Sequence, residues 1–419
     1  MSGSGRGWLW LLVGSAILTQ TTLNLVRPTV SYQLLGMGAD AGAVGAVTSA
    51  YALVPLVLVL WLGRLTERTP RLSVLIGVGA VIFSAACLLL AVATTVVVVA
   101  TASVVLGVAH IVFTIAGQAA IARYLPSAEL DRGFGWFTAG YAVGQLIGPV
   151  LGGLMLGTGG DADERAAAIR LTMVVGALVS LAAVPVIVPL IVGAAKPDAG
   201  DGPSRAEDPP PRSPSASADQ PAEREPAAPT MLGILRVPSV PSHMVASLAL
   251  LAMLDLLIAF LPVVGERQGV SPVWIGAFLA VRAGATIVSR ICLPWLSARF
   301  RRSDLVIVSL LGAGATIVAT PSTLTWTTLT IVLMAVGGFF LGLGQPLTMT
   351  LIVRAVPLTW RSTALAVRLM GNRLGQVALP VAAGGVAATV GPAGAIWFAG
   401  LLLVVSGAEK TVRRFRRPS

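Results

Sequence analysis

Residues 135–153 of the chain read GWFTAGYAVGQLIGPVLGG, a stretch in which glycine and proline interrupt an otherwise apolar run. In the interior of a soluble helix, each Gly costs about 1 kcal/mol and each Pro about 3 kcal/mol relative to Ala. In a bilayer, small residues let a neighbouring helix approach closely, and proline permits a bend. We therefore predict a closely packed transmembrane helix whose packing residues are Gly144, Gly148, Pro149, Gly152 and Gly153.

The composition of the whole chain agrees with a membrane location. Only 11% of the 419 residues are charged, whereas 55% are hydrophobic. A soluble domain has about a quarter of its residues charged, so this balance excludes a water-soluble fold. A span of the hydrocarbon core needs about 20 apolar residues. Twelve such segments begin near residues 8, 41, 72, 94, 134, 168, 240, 272, 304, 326, 363 and 390, which predicts an all-α integral membrane protein.

A polar segment divides the twelve spans into two groups of six. Residues 196–230 contain nine prolines, seven acids, four bases and no aromatic residue. Such a segment cannot bury enough apolar surface to fold. The predicted organisation is an N-terminal half at 1–195, a disordered cytoplasmic linker at 196–235, a C-terminal half at 236–410 and a basic tail at 411–419.

Arginine is unevenly distributed between the predicted loops, and this asymmetry sets the expected orientation. With a cytoplasmic amino terminus, the arginine-rich loops after the second, fourth, eighth and tenth spans all face the cytoplasm, as basic loops do. The other side keeps only Arg165, Arg170 and Arg267. The net charge of +11 therefore indicates membrane topology rather than nucleic-acid binding. We expect a multi-pass protein of the cell membrane with both termini in the cytoplasm.

Three motifs occur once in each group of spans and in the same order, which indicates an internal repeat. The fourth and tenth spans carry Gly-Gln followed by Arg and Pro, the fifth and eleventh carry Gly-Gln followed by Pro, and the second and eighth end in basic loops. The Gly-Gln pairs are Gly117-Gln118 and Gly344-Gln345 in the first case, and Gly144-Gln145 and Gly375-Gln376 in the second.

This arrangement resembles the major facilitator superfamily. The loop at 63–71, GRLTERTPR, is similar to that family's G-x-L-a-D-r-x-G-r signature, with Glu67 in place of Asp and Pro70 in place of the second Gly. The resemblance implies two pseudo-symmetric six-helix halves. It also implies a packing and gating role for Gly63, Glu67 and Arg68, because the loop needs a small residue, a carboxylate near a helix terminus and surface arginines.

The fifth span adds a second match. Its glycines and Pro149 reproduce the spacing g-x8-G-x3-G-P-x2-G-G, which is typical of exporters and antiporters in that family. The resemblance thus implies a secondary transporter that works by alternating access. One departure affects coupling: Ser103 stands where the family's fourth span has the arginine associated with proton coupling, so proton-driven export does not carry over from the motif.

Ionisable side chains at membrane depth are costly and usually functional, so they define the candidate site. Counting about 1.5 Å per residue places Asp255, Arg282 and Arg373 near the bilayer midplane. Polar residues at helical spacing extend the set. The predicted substrate and coupling cavity is formed by Gln20, Asn24, His110, Gln118, Asp255, Arg282, Gln345, Arg368, Asn372, Arg373 and Gln376.

Asp255 is the only carboxylate well inside a predicted span, and we expect it to pair with Arg282 or Arg373. The pair could be fixed, or it could open when Asp255 is protonated. Arg27 lies near the predicted outer end of the first span, where a long side chain can reach water. Because three deep arginines face one acid, we expect an anionic or neutral polar substrate.

The sequence favours an exporter of a small metabolite or drug. Three alternatives are less favoured. One alternative is a proton- or solute-coupled importer of an organic anion, and another is a non-transporting membrane sensor or assembly protein. A membrane enzyme ranks third, because two cysteines and two distant histidines offer no catalytic or metal-binding set. We expect no cofactor, a monomer in the bilayer, and the proton as the candidate coupling ion.

Overall fold

The computed structural model describes residues 7–126, 129–157, 161–185, 231–357 and 360–415. Within these ranges, twelve helices are long and apolar enough to cross a membrane. They are α1 Gly7–Gly36, α2 Ala41–Arg68, α3 Leu72–Ala91, α4 Val96–Tyr124, α5 Leu130–Leu156, α6 Ala162–Leu181, α7 Val240–Arg267, α8 Pro272–Arg299, α9 Arg302–Ala319, α10 Thr327–Ala355, α11 Arg361–Val390 and α12 Ala393–Phe415. The predicted fold class is confirmed.

Helix starts agree closely with the sequence prediction, and the largest difference is in α6. This helix begins at Ala162 rather than near 168. Its N-cap is Asp161, whose side chain accepts a hydrogen bond from the Glu164 amide at 2.8 Å. Asp163 and Glu164 lie in the first turn, where their negative charges interact favourably with the positive end of the helix dipole. Capping thus extends α6 beyond its apolar stretch.

Two predicted boundaries need correction. Residues 231–235, assigned to the linker, belong to a short helix, Met231–Arg236. Ile234 of this helix is fully buried against Val240 and Ile352, so apolar burial orders the chain before α7. The predicted tail from 411 begins inside α12, which continues to Phe415 and whose Arg414 forms an ion pair with Asp304. Residues 196–230 lie outside the described residues.

The helices form two bundles that meet along two pairs of helices. In the N-terminal half α1 packs on α5 and α3 on α4, and in the C-terminal half α8 and α9 pack on α10. Between the halves, α2 contacts α11 and α5 contacts α8, with α1 on α7 between these pairs. We name the face where α1 begins and α12 ends the terminal face, and the other the opposite face.

The two seams between the halves repeat one packing device near the opposite face. A Cβ added at Gly153 of α5 would lie 2.7 Å from the carbonyl oxygen of Pro272, at the start of α8. In the other seam, a Cβ added at Gly384 of α11 would lie 3.2 Å from the Cα of Gly45, near the start of α2. Both α5 and α11 carry Pro four residues before the glycine. Backbones touch in both seams, which holds the halves together at this face.

Polar contacts reinforce the closure at the opposite face. Arg165, at the start of α6, forms an ion pair with Glu266, at the end of α7 in the other half. The Arg165 guanidinium also lies over the ring of Tyr32, 5.4 Å from its centroid. Ser31 of α1 donates to the carbonyl oxygen of Ala259 in α7 at 2.8 Å.

Candidate functional site

Asp255, near the middle of α7, pairs with Arg27 of α1. Arg27 Nη1 donates to Asp255 Oδ1 at 2.7 Å, and Gln376 Nε2 of α11 donates to Oδ2 at 2.8 Å. The two charged side chains are 13% and 10% exposed, so the pair is buried. The expectation that Arg282 or Arg373 holds Asp255 is therefore wrong, and so is the expectation that Arg27 reaches water.

Both expectations were wrong because α1 is longer than predicted. Pro28 follows Arg27 directly, and a first span predicted from Trp8 to Val26 places Arg27 just beyond its outer end. The helix instead continues through Pro28 to Gly36. Proline is tolerated inside membrane helices because neighbouring groups satisfy the freed backbone. Arg27 therefore lies well inside the helix, where it faces Asp255 of α7.

A chain of polar contacts leads from Arg27 through the N-terminal half. The Arg27 guanidinium lies over the ring of Tyr51 in α2, 4.6 Å from its centroid. Tyr51 Oη is 2.5 Å from His110 Nδ1 in α4, and His110 Nε2 is 3.1 Å from Gln20 Nε2 in α1. If Gln20 donates there, His110 is neutral and its Nδ1–H donates to Tyr51. His110 is thus a member of the central network.

On the other side of Asp255, the chain continues into α11. Arg373 Nη1 donates to Gln376 Oε1 at 2.9 Å, so Gln376 links Arg373 to the carboxylate without a direct ion pair. Tyr141 of α5 lies beside His110, with ring centroids 6.4 Å apart, and its hydroxyl is 2.9 Å from Thr114 Oγ1 of α4. These contacts involve four helices of the N-terminal half and two of the C-terminal half. The network crosses between the halves at Arg27 and Asp255.

Arg368 occupies a separate position closer to the terminal face. Its Nε donates to Ser247 Oγ of α7 at 2.9 Å, and its Nη2 donates to Gln345 Oε1 of α10 at 3.2 Å. The predicted cavity residues Arg368 and Gln345 therefore lie together, and they connect α7, α10 and α11 within the C-terminal half.

Arg282 differs from the other deep arginines. It is 3% exposed, yet its guanidinium forms no hydrogen bond or ion pair with the described residues, and its Nε is buried without a partner. Its backbone packs on α10, where a Cβ added at Gly338 would lie 2.9 Å from the Arg282 Cα. A buried charge without a partner is expensive, so this arginine requires an explanation.

The remaining predicted cavity residues do not all join these contacts. Asn24 is buried, and its Nδ2 donates to the carbonyl oxygen of Gln20 at 2.8 Å in its own helix. Asn372 is buried on α11, one residue from Arg373. Gln118 is exposed on α4 and forms no hydrogen bond with the described residues of the network. Its place in the cavity remains a prediction.

The α5 glycines divide between two neighbours. A Cβ added at Gly144 would lie 2.7 Å from the Thr21 amide nitrogen, and one added at Gly148 would lie 2.6 Å from the Thr21 carbonyl oxygen. Gly152 faces the carbonyl oxygen of Leu25 at 3.2 Å in the same way. These three glycines allow the backbone of α5 to pack directly against the backbone of α1. Gly153 and the carbonyl oxygen of Pro149 instead meet α8 in the other half.

The loop after α2 is arranged by an arginine that the motif did not include. Arg123, at the end of α4, donates to the carbonyl oxygens of Thr69 at 2.7 Å and Thr66 at 2.6 Å. It thereby satisfies carbonyl groups at the C-terminal end of α2, as basic residues do there. Glu67 and Arg68 are exposed, and a Cβ at Gly63 would meet nothing within 4 Å. Their gating role remains a prediction.

Sequence reasoning missed two aromatic members of the site. Tyr51 and Tyr141 both contact the network, although neither was among the predicted residues. The chain has only four tyrosines, and a hydroxyl inside an apolar span needs a partner. The rarity of tyrosine in this chain and the depth of these two residues within predicted spans could have identified them as site residues. A cavity of about 30 Å³, large enough for water, lies beside Arg27 and Tyr51.

Known proteins share this fold. A nucleoside transporter, NupG, aligns with a TM-score of 0.70 at 13% identity, over 98% of this chain and 100% of its own. A bacterial homologue of the human lysosomal transporter Spinster, inward-facing and unoccupied, gives 0.65 at 18% identity over 98% and 96%. A POT family transporter in complex with a thioalcohol-conjugated peptide gives 0.68 at 12% identity over 98% and 96%.

These identities establish a common fold only. No curated protein matches the sequence significantly. Among the described residues, no group of three or more His, Cys, Asp or Glu side chains could hold a metal ion. The Major Facilitator Superfamily model, however, matches residues 9–320 and 245–418, which together span nearly the whole chain. The resemblance drawn from the sequence motifs is thereby confirmed, and the protein belongs to the Major Facilitator Superfamily, a family of secondary transporters.

Proposed function

We propose that this protein exports a small polar solute, an anionic or neutral metabolite or drug, by alternating access. The observation that supports this most directly is the buried chain of contacts between Arg373 and Gln20, which crosses from one half to the other at Asp255 and Arg27. A site shared by two halves changes its access when the halves rock against each other. Enzymatic chemistry is no part of the proposal.

The distribution of contacts between the halves supports a specific state. Gly153, Gly384 and the Arg165–Glu266 pair all join the halves near the opposite face. In the proposed cycle, this arrangement is the state that loads from the terminal face. With both termini in the cytoplasm, as the arginine distribution favours, loading is cytoplasmic. The described conformation of the Spinster homologue, inward-facing, is consistent with this assignment.

The direction of transport rests on the α5 pattern. Gly144, Gly148 and Gly152 hold α5 against α1 through backbone contacts, in the spacing typical of exporters and antiporters. The rival is an importer of an organic anion, which the buried arginines and Ser103 would suit. Ser103 is buried and donates to the carbonyl oxygen of Val99 in its own helix at 2.8 Å, so it offers no charge for coupling.

Asp255 is the proposed coupling group, with the proton as the candidate ion. Protonation would remove the charge that holds Arg27 and would leave its guanidinium free to rearrange. His110 reaches the same pair through Tyr51 and is the next candidate. We further propose a monomer in the cell membrane, with the α5 glycines and the loop residues Gly63, Glu67 and Arg68 acting in packing and gating.

The test compares metabolites of cells with and without the gene, then measures each hit in proteoliposomes under imposed pH gradients. Export predicts accumulation inside the deletion strain and uptake into inverted vesicles. Loss of solute from the deletion strain, or its failure to take solute up, would instead identify the importer. If Asp255→Asn and Gln376→Ala together leave every cellular phenotype unchanged, a non-transporting sensor or assembly protein becomes the better interpretation.

A further inference from the structure

The central region of the C-terminal half contains hydrogen-bond donors that have no acceptor. The buried atoms without a partner include Arg282 Nε on α8, Gln345 Nε2 on α10 and Arg373 Nε on α11. All three are N–H groups. Unpaired buried donors are rare in native proteins, and each leaves a desolvation cost uncompensated. A fourth such donor of this half, Arg361 Nε, lies at the start of α11, whereas these three lie within the interiors of α8, α10 and α11. Three N–H donors on three adjacent helices indicate a missing acceptor.

Charge in the same region has the same sign. The one buried carboxylate among the described residues is Asp255, and both of its oxygens are taken, by Arg27 and by Gln376. Among the described residues, Arg27 is the only arginine that forms a direct ion pair with it. Arg282 and Arg373 remain without an ion-pair partner, and Arg368 has only neutral partners, Ser247 and Gln345.

Arg282 is the member that a structural role explains least. Arg368 connects three helices through its hydrogen bonds, and Arg373 donates to Gln376 of its own helix. Arg282 is more deeply buried and forms no hydrogen bond or ion pair with any described residue. Gly338 and Thr286 explain how its backbone packs on α10, through the Thr286 Oγ1 bond to the Gly338 carbonyl oxygen at 3.0 Å. They do not explain why a guanidinium rather than an apolar side chain lies there.

We propose that Arg282 binds an oxyanion of the transported solute, a carboxylate or a phosphate, and that the solute is therefore an organic anion. A guanidinium stays charged at any physiological pH and presents paired N–H groups that match these anions. Gln345 Nε2 and Arg373 Nε, the other unpaired donors, are proposed to bind other polar groups of the same solute. This inference rests on the proposed function for the solute's identity, but the binding site itself does not require transport.

The first experiment measures binding, without transport. Protein purified in maltoside is titrated with benzoate, its neutral isostere benzamide and the cation benzylamine, with phenyl phosphate as the second anion, at constant ionic strength. Thermal unfolding is the readout. We expect saturable stabilisation by benzoate or phenyl phosphate alone, and a loss of affinity of about tenfold or more in Arg282→Gln.

A matched control comes from the same helix. Arg299 is exposed at the C-terminal end of α8, so Arg299→Gln should bind the anions as the wild type does. Arg282→Lys keeps the charge but loses the paired donors, and we expect intermediate affinity. Without ligand, Arg282→Gln should unfold at the same temperature as the wild type or higher, because it removes an unpaired buried charge. This outcome also shows that the variant folds.

Several results would overturn the inference. Equal stabilisation by benzoate and benzamide would do so, as would unchanged anion affinity in Arg282→Gln. Stabilisation that depends on Arg282 but arises only with phosphatidylglycerol would assign the arginine to a lipid headgroup instead. Transport of a permanent cation such as ethidium, unaffected by Arg282→Gln, would refute the inference and leave the transporter intact. Conversely, anion binding through Arg282 without transport of any solute would refute the proposed function and leave this site standing.

Discussion

Removal of both partners of the Arg27–Asp255 pair should destabilise the protein much less than the sum of the two single removals. At a separation of 4 Å, two unit charges attract by about 4 kcal/mol at an effective dielectric constant of 20. Desolvation of each ion costs several kcal/mol, so the intact pair contributes little net stability. Arg27→Met or Asp255→Asn leaves one buried charge alone, and we expect each to cost about 3 kcal/mol. The double variant should cost clearly less than the sum.

The chain supplies its own reporter of unfolding. Cys87 is fully buried in α3, so a thiol-specific dye can label it only after local or global opening. In a Cys292→Ser background, Cys87 labelling against denaturant gives the free energy of unfolding for each member of the double-mutant cycle. Arg165→Met is the control, because its pair with Glu266 is about one-third exposed and should be worth about 1 kcal/mol or less.

The cycle refutes the reasoning in either of two ways. If the two single changes add within about 0.5 kcal/mol, the residues do not act as a pair. If neither single change costs more than Arg165→Met, the charges are solvated and the pair is not buried as described. A coupling energy of about 2 kcal/mol or more is the expected result.

Three further predictions concern transport in proteoliposomes. Gly148→Leu should abolish transport without preventing insertion, because even a Cβ would lie 2.6 Å from the Thr21 carbonyl oxygen. The control Gly135→Leu should retain activity, because a Cβ there meets nothing within 4 Å. Normal turnover of Gly148→Leu would contradict the packing role proposed for the α5 glycines. Asp255→Asn should make transport independent of a pH gradient, and persistent dependence would transfer the coupling role to His110. Replacing residues 196–230 with an equally long Gly/Ser chain should preserve transport, and loss of activity in well-expressed protein would give the linker a mechanistic role.

The helices and their division into halves could be predicted because both depend on local composition. Apolar length gives each span, and repeated motifs such as Gly144-Gln145 and Gly375-Gln376 give the internal symmetry. The predicted helix boundaries were wrong where a capping residue or a buried contact beyond the apolar stretch determines where a helix starts. Asp161 extends α6 by capping it, and Ile234 orders a short helix that composition alone assigned to the linker.

The partners within the site could not be predicted in the same way. Counting residues gives depth, and it placed Asp255, Arg282 and Arg373 at similar levels. Pairing depends in addition on which helices are neighbours and how each is rotated. Depth was also wrong for Arg27, because the first span was predicted to end at Val26, whereas α1 continues to Gly36. A single misplaced helix end thus changed the partner of the central carboxylate.

The contacts of α1 connect the central ion pair to the seam between the halves. Ser31 and Arg27 are one turn apart on α1, and they meet Ala259 and Asp255, which are one turn apart on α7. On its other side, α1 packs against α5 at backbone contact distance, at Gly144 and Gly148. Close-packed backbones cannot slide past each other without a clash, so α1 and α5 must move together. Since α5 forms the seam with α8 through Gly153, we expect α1 to separate from α7 at the same time as that seam opens.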